Sequence, residues 1–302
     1  RSDPRTYKGG VSLKRGVIAL AIAVMALMAY PDGIGIGQAG VFIDALGRRV
    51  VVPPNPQRII SLAPSITENL FALGLGDRIV GVTNYCDFPP EALKKEKVGG
   101  GINPSVEKIV SLKPDLIVGL VSRANRATVE VLEGMNLPIY LTESRGFHGI
   151  LKTIEELGRL TGTQARAAEI IRGMRARAEE ISRLTRNAKR PKVLFVVWQE
   201  PLWTIGRKSF INDLIDMAGG RSISADIKAE AGIISLEEVV RRGPEVIVVS
   251  DTRRWKGWDS IPALRSKKMF IVDPSPFNRP SYRTVEALEM LARMFHPELF
   301  PK

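Results

Sequence analysis

One stretch of this chain occurs twice, 130 residues apart, and the repeat narrows the folds open to it. Ser105-Val-Glu107-Lys-Ile-Val110-Ser-Leu-Lys-Pro114-Asp-Leu-Ile-Val118 and Ser235-Leu-Glu237-Glu-Val-Val240-Arg-Arg-Gly-Pro244-Glu-Val-Ile-Val248 agree at six of 14 aligned positions. Each copy reads as a short helix opened by a serine cap, a proline stop, and a strand apolar enough to be covered on both faces. The second copy places Glu238 three residues after Ser235, a capping-box pattern. The period is too long for a solenoid. It predicts two similar α/β lobes.

The rest of the chain fits around these units. Val41–Val52 predicts a hairpin turning at Leu46-Gly47. From Arg58, strands and helices alternate through Ile139–Leu141, so residues 41–146 form an N-terminal lobe with a parallel sheet. Residues 147–190 hold no strand signal. Ile150, Ile154 and Leu157, then Ala167, Ile170, Met174, Ala178 and Ile181, recur at helical spacing. Thr161-Gly162 interrupts them, which leaves a short helix and one of about 20 residues, roughly 30 Å long. Such a rod between lobes resists large hinge motion. Residues 191–302 repeat the alternation, with Gln199–Gly206 read as a loop. The expected fold is two Rossmann-like lobes with parallel sheets joined by a long rigid helix.

Residues 1–40 read as a signal peptide. Lys8, Lys14 and Arg15 precede an apolar run from Val17 to Tyr30, and Gly37-Gln-Ala39 is a small-x-small cleavage site. The run is short for a membrane span, and no cysteine stands at its end for a lipid anchor. The expected location is therefore periplasmic, with a membrane tether if the signal stays uncleaved. Gly35-Ile-Gly-Gln-Ala-Gly40 matches a dinucleotide fingerprint, but a strand must precede such a motif, and Pro31 stands there instead.

Net charge is +12, with the cations dispersed rather than gathered beside aromatics, so no nucleic-acid partner is expected. Cys86 is the single cysteine and His148 and His296 the only histidines. None of these has partners at ligand spacing, so no metal site and no cofactor are expected. Ligands of open parallel sheets gather at the strand carboxyl ends. The loops there carry Ser65, Tyr85, Trp198, Trp203, Trp255, Trp258, Phe277 and Arg279. Aromatic rings in such loops suit a flat ligand. Arg279 suits a carboxylate or phosphate on it. Glu107 and Glu237 occupy the first turn of their helices, where the dipole favours a carboxylate. As a matched pair they also suit docking on a partner with the same pseudo-symmetry. No catalytic motif is found, so the chain is not expected to be an enzyme.

Four stretches carry a resemblance to a known family: Arg58-Ile-Ile-Ser-Leu-Ala-Pro-Ser-Ile-Thr-Glu68, Asn84-Tyr-Cys-Asp-Phe-Pro-Pro90, Glu107 to Val118, and Asn278-Arg-Pro-Ser-Tyr-Arg283. Together they resemble the substrate-binding proteins of cobalamin, haem and iron-siderophore ABC importers (class III), and the Asn84–Pro90 stretch is most similar to that of cobalamin binders. The resemblance implies a monomer that holds a corrinoid in a shallow cleft and delivers it to a permease dimer. Haem or a ferric siderophore is the alternative within the family. A chelatase or nitrogenase-like enzyme subunit is the alternative outside it, and it would require His or Cys at the cleft. The resemblance further implies that Tyr85 touches the ligand, that Phe277 and Arg279 line the opposite wall, and that Glu107 and Glu237 dock on the permease.

Overall fold

A computed structural model of the chain describes residues 39–122, 125–250, 258 and 261–300. Nearly all of the expected leader, with most of its glycine motif, lies outside the described residues, and so does Trp255. The first element is the expected hairpin, β1 (Gly40–Ile43) antiparallel to β2 (Arg49–Val52). The Asp44 carboxylate builds its turn by accepting the N–H groups of Leu46 (2.9 Å) and Arg48 (3.0 Å), and Gly47 supplies the positive φ of 77°. Tyr140 Oη donates to the Ile43 carbonyl at 3.1 Å and ties the hairpin to the neighbouring sheet.

The N-terminal lobe follows as β3 (Ile59–Ser61), α1 (Pro64–Ala72), β4 (Ile79–Val82), β5 (Glu96–Lys97), α2 (Val106–Ser111), β6 (Leu116–Leu120), α3 (Arg126–Gly134) and β7 (Ile139–Thr142). All its strand pairs are parallel, in the order β5-β4-β3-β6-β7. Helices between strands return the chain to the same edge, which is what parallel pairing requires. Two linking helices come next, α4 (Gly146–Thr161) and α5 (Gln164–Thr185). Gly162, in the left-handed region at φ 75°, ends the first of them.

The C-terminal lobe is β8 (Lys192–Trp198), β9 (Trp203–Ile205), α6 (Phe210–Met217), β10 (Arg221–Ser222), β11 (Ala231–Ile233), α7 (Leu236–Arg242), β12 (Val246–Val249), α8 (Pro262–Arg265), β13 (Met269–Ile271), α9 (Ser275–Asn278) and α10 (Thr284–Phe295). Its sheet runs β11-β9-β8-β12-β13, with β10 also on β8. Here the structure adds to the sequence reading. Part of the Gln199–Gly206 segment is a strand, antiparallel to both β8 and β11. A connection this short between neighbouring strands permits only antiparallel pairing.

The repeat survives in the hydrogen bonding. Ser105 Oγ accepts the Lys108 N–H at 3.3 Å, and Ser235 Oγ accepts the Glu238 N–H at 3.1 Å. The second half of the capping box is absent, because the Glu238 carboxylate turns to Arg241 and Arg242 instead. The acid after each proline secures the start of the adjacent strand. Asp115 accepts the N–H groups of Gln57 (2.7 Å) and Arg58 (2.8 Å), and Glu245 accepts that of Lys192 (3.0 Å). Each repeat strand then lies between the first and last strands of its lobe, β6 between β3 and β7, β12 between β8 and β13.

The long helix serves both cores. Ala167 and Met174 pack into the N-terminal core, and Ala178 and Ile181 into the C-terminal one. Phe147 and Phe210 pack against both. The Asp213 carboxylate on α6 accepts the Phe147 N–H at 3.1 Å and binds the start of α4 to the second lobe.

Candidate functional site

The carboxyl ends of both sheets open into a cleft between the lobes. Leu120 and Val121 after β6, and Thr142 at the end of β7, face Val197 of β8, Ile205 of β9 and the start of α6 across a cavity of about 340 Å³. A second cavity of about 350 Å³ is lined by Trp198, Gln199, Val249, Ser250 and Pro274. Val197 and Asn278 line both, so the two form one cleft. Cavities of this size lie within the range of small-molecule sites.

Among the described residues, the charges that line the cleft balance. Glu143 and Arg145 form an ion pair at 2.7 Å, which leaves one cation, Lys208, and one carboxylate, Glu230. Hydrogen-bonding side chains are more numerous: Thr142, Ser144, Ser209, Gln199, Ser250 and Asn278. The Gln199 Nε2 is buried and has no hydrogen-bond partner among the described residues. A buried amide N–H left unpaired costs about 1–3 kcal/mol, so it gains from a ligand acceptor.

Beside the cleft, three of the four stretches that carry the family resemblance meet. Arg279 comes from the C-terminal lobe and Glu68 and Asp87 from the N-terminal one. Arg279 Nη1 lies 2.5 Å from Asp87 Oδ1 and 3.2 Å from Glu68 Oε1, and its Nη2 lies 3.1 Å from Asp87 Oδ2. Ser281 Oγ donates to Glu68 Oε2 at 2.5 Å, and the Tyr282 N–H donates to Asn69 Oδ1 at 2.9 Å. The Arg283 guanidinium sits 4.0 Å from the centre of the Phe88 ring and 3.8 Å from Glu68. Residues 279–283 thus clasp the N-terminal lobe at the middle of α1 and at the Tyr85 loop.

The two acids of this clasp respond differently to it. The Glu68 side chain is 1% exposed. Burial pushes its carboxyl above the usual 4.5, and the hydrogen bonds from Ser281 and Arg279 and the charges of Arg283 and Arg279 only partly offset this. Asp87 is 57% exposed on its side chain, so desolvation is small, and the Arg279 hydrogen bonds hold it below 3.8.

The residues expected at the site divide into three groups. Tyr85 (67% exposed), Trp198 (54%) and Trp203 (37%) present rings to solvent. Trp198 lines the cleft, and its indole N–H donates to the Glu200 carbonyl at 2.9 Å. The Tyr85 carbonyl lies 3.5 Å from Arg279 Nη2, in the clasp beside the cleft. Ser65 and Phe277 are buried, 2% and 1% exposed. The Phe277 ring packs on Phe195 with centroids 5.4 Å apart and is built into the core, and the same residue lines the cavity beside Asn278. Trp258 is likewise buried. Arg279 is engaged by protein carboxylates rather than held out to a ligand. Sequence reasoning missed Gln199, Lys208, Glu230 and Asn278. Only Asn278 stood in a singled-out motif, and the others become lining residues through the antiparallel β8-β9-β11 edge.

Glu107 and Glu237 are both exposed, and neither has an ion-pair partner among the described residues. A groove larger than either cavity, about 560 Å³, runs between α4 and α5, lined by Lys152, Arg159, Arg172 and Arg175 over Leu151 and Ala167. It is lined by residues of the two linking helices and touches no strand end, so volume alone does not make it the site.

The chain was then compared with known proteins. A family model described as periplasmic binding protein matches residues 59–276. YvrC of Bacillus subtilis (strain 168), named an uncharacterized ABC transporter substrate-binding lipoprotein, is 30% identical over 272 residues, covering 85% of this chain and 85% of that one. The vitamin B12-binding protein of Vibrio parahaemolyticus is 28% identical over 238 residues, 77% of this chain and 86% of its own length. Among solved structures, the periplasmic vitamin B12 binding protein BtuF of Vibrio cholerae aligns with a TM-score of 0.71 at 26% identity, covering 82% of this chain and 100% of that one. The periplasmic haem-binding protein RhuT from Roseiflexus sp. RS-1 aligns with a TM-score of 0.71 at 26% identity, over 80% of this chain and 99% of that one.

Proposed function

The chain belongs to the periplasmic binding protein family and is the substrate-binding component of an ABC importer, and from that premise we propose that it captures a corrinoid in the inter-lobe cleft. The observation that carries this choice is the charge of the cleft. Among the described residues its lining has as many cations as carboxylates, Arg145 is paired with Glu143, and Arg279 at its edge is held by Asp87 and Glu68. A polyanion such as haem, with two propionates, or a catecholate siderophore would meet no surplus of cations among these residues. A neutral corrinoid edged with amides suits a wall of Thr142, Ser209, Gln199 and Asn278, with the rings of Tyr85, Trp198 and Trp203 for its flat faces. Neither histidine lines the cleft. His148 lies in the α4–α5 groove, and His296 is buried with its Nε2 3.3 Å from the Gly219 carbonyl.

Residues 1–40 export the chain, lobes at 41–146 and 191–302 hold the ligand, and the 147–190 helices set their spacing. Glu107 and Glu237 dock the loaded protein on the permease. The test is titration of purified protein with dicyanocobinamide, cyanocobalamin, haemin and a ferric hydroxamate, read by calorimetry and by the visible spectrum. Micromolar or tighter binding of a corrinoid, with haemin and the hydroxamate at least tenfold weaker, is the expected result. Preference for haemin or the hydroxamate overturns the corrinoid assignment and keeps the importer role.

A further inference from the structure

We propose that Val110 and Val240 form, with Glu107 and Glu237, a twofold docking footprint whose apolar part is as necessary as its acidic part. This inference rests on the reading that the two glutamates meet the permease. It comes from asking what each of the six identities in the repeat does. Ser105 and Ser235 cap their helices. Pro114 and Pro244 end them and are buried. Ile117 with Ile247, and Val118 with Val248, are fully buried strand residues of the two lobes. These four identities are accounted for by folding.

The other two are not. Glu107 and Glu237 are exposed, with no ion-pair partner among the described residues. Val110 is 41% exposed and Val240 39%. Each valine follows its glutamate by three residues, so the two side chains share a helix face about one turn apart. The surroundings have diverged meanwhile. Lys108 faces Glu238 in the alignment, Ser111 faces Arg241, and Leu112 faces Arg242. Helix propensity does not explain the valines, since β-branched residues are poor choices on a solvated helix face. A free carboxylate beside an apolar side chain, presented once by each lobe, fits a partner with two equivalent halves. Each half would offer a cationic pocket with an apolar rim. In a chain of net charge +12, two unpaired carboxylates on matched sites are the groups that attract such a pocket rather than repel it.

The test uses the full chain and proteoliposomes holding the permease–ATPase complex that the wild-type chain stimulates. The variants are Val110→Ser with Val240→Ser, Glu107→Lys with Glu237→Lys, and a control, Val131→Ser, at an exposed valine on α3 outside the repeat (46% exposed). The concentration for half-maximal ATPase stimulation is read for each, together with the dissociation constant for dicyanocobinamide and the melting temperature. The double valine variant is expected to raise the half-maximal concentration about ten- to a hundredfold, from two lost apolar contacts, with unchanged ligand affinity. Val131→Ser is expected to leave it unchanged. If the double valine variant behaves as wild type while the glutamate reversal abolishes stimulation, this inference falls and the docking role stands. If the glutamate reversal also stimulates normally, the docking role itself falls.

Discussion

Replacing Arg279 with methionine removes the charge of the inter-lobe clasp and keeps most of the side-chain volume. The loss can be worked out arm by arm. Asp87 returns to a largely solvated carboxylate, and an exposed pair of this kind contributes about 1 kcal/mol or less. Glu68 is left 1% exposed, with the Ser281 hydroxyl as its donor and Arg283 at 3.8 Å. Leaving a buried charge uncompensated costs about 3–5 kcal/mol. Glu68 can escape part of this by taking up a proton. At neutral pH, protonating a carboxyl of ordinary value 4.5 costs about 3 kcal/mol, which sets the ceiling for this arm. Arg279→Met is therefore expected to destabilise by about 3–4 kcal/mol at pH 7. The sign with pH is fixed as well. Glu68 already has a raised value in the folded state, and losing Arg279 raises it further. The folded state then binds more protons than the unfolded one, so this arm's stability is regained as pH falls through the folded value of Glu68 towards 4.5. Urea unfolding of wild type and variant between about pH 5 and pH 7 measures the difference, which should shrink towards the acid end. Glu68→Gln in the Arg279→Met background should recover stability at pH 7. A loss under about 1 kcal/mol, flat with pH, would refute the clasp as a structural joint between lobes.

Two further outcomes follow from which rings are exposed and which are buried. Tyr85→Ala and Trp203→Ala each remove an exposed ring and should weaken dicyanocobinamide binding about tenfold while changing stability by less than about 1 kcal/mol, measured by calorimetry and thermal melting. Phe277→Ala should act first on stability. The ring is 1% exposed and packed on Phe195, so about 3–5 kcal/mol is lost in urea unfolding. A loss under about 1 kcal/mol would refute its place in the core.

Much of the fold was legible because its signals are local. Ser105, Pro114 and the strand after it announce themselves within 14 residues, and so do their counterparts. The stripe from Ala167 to Ile181 is visible along one helix. What stayed hidden depended on distant partners. Trp203–Ile205 is three residues long and follows Pro201, and only pairing with Val196 and with Ala231–Ile233 makes it a strand. The site shows the same limit. An arginine between Asn278 and Pro280 announces an anion partner, and no periodicity says that the anions are Glu68 and Asp87, 211 and 192 residues away in sequence. Phe277 and Trp258 share their loop context with Trp198, and the sequence does not say which rings turn inwards.

The clasp also orders events in time. A chain growing from its amino end makes Glu68 and Asp87 long before Arg279, Ser281 and Arg283, which cover and pair them in the finished fold. Until the ribosome has passed Arg283, the first lobe lacks these contacts and is held less firmly than in the finished molecule. Such late tightening is written into the distance between two motifs.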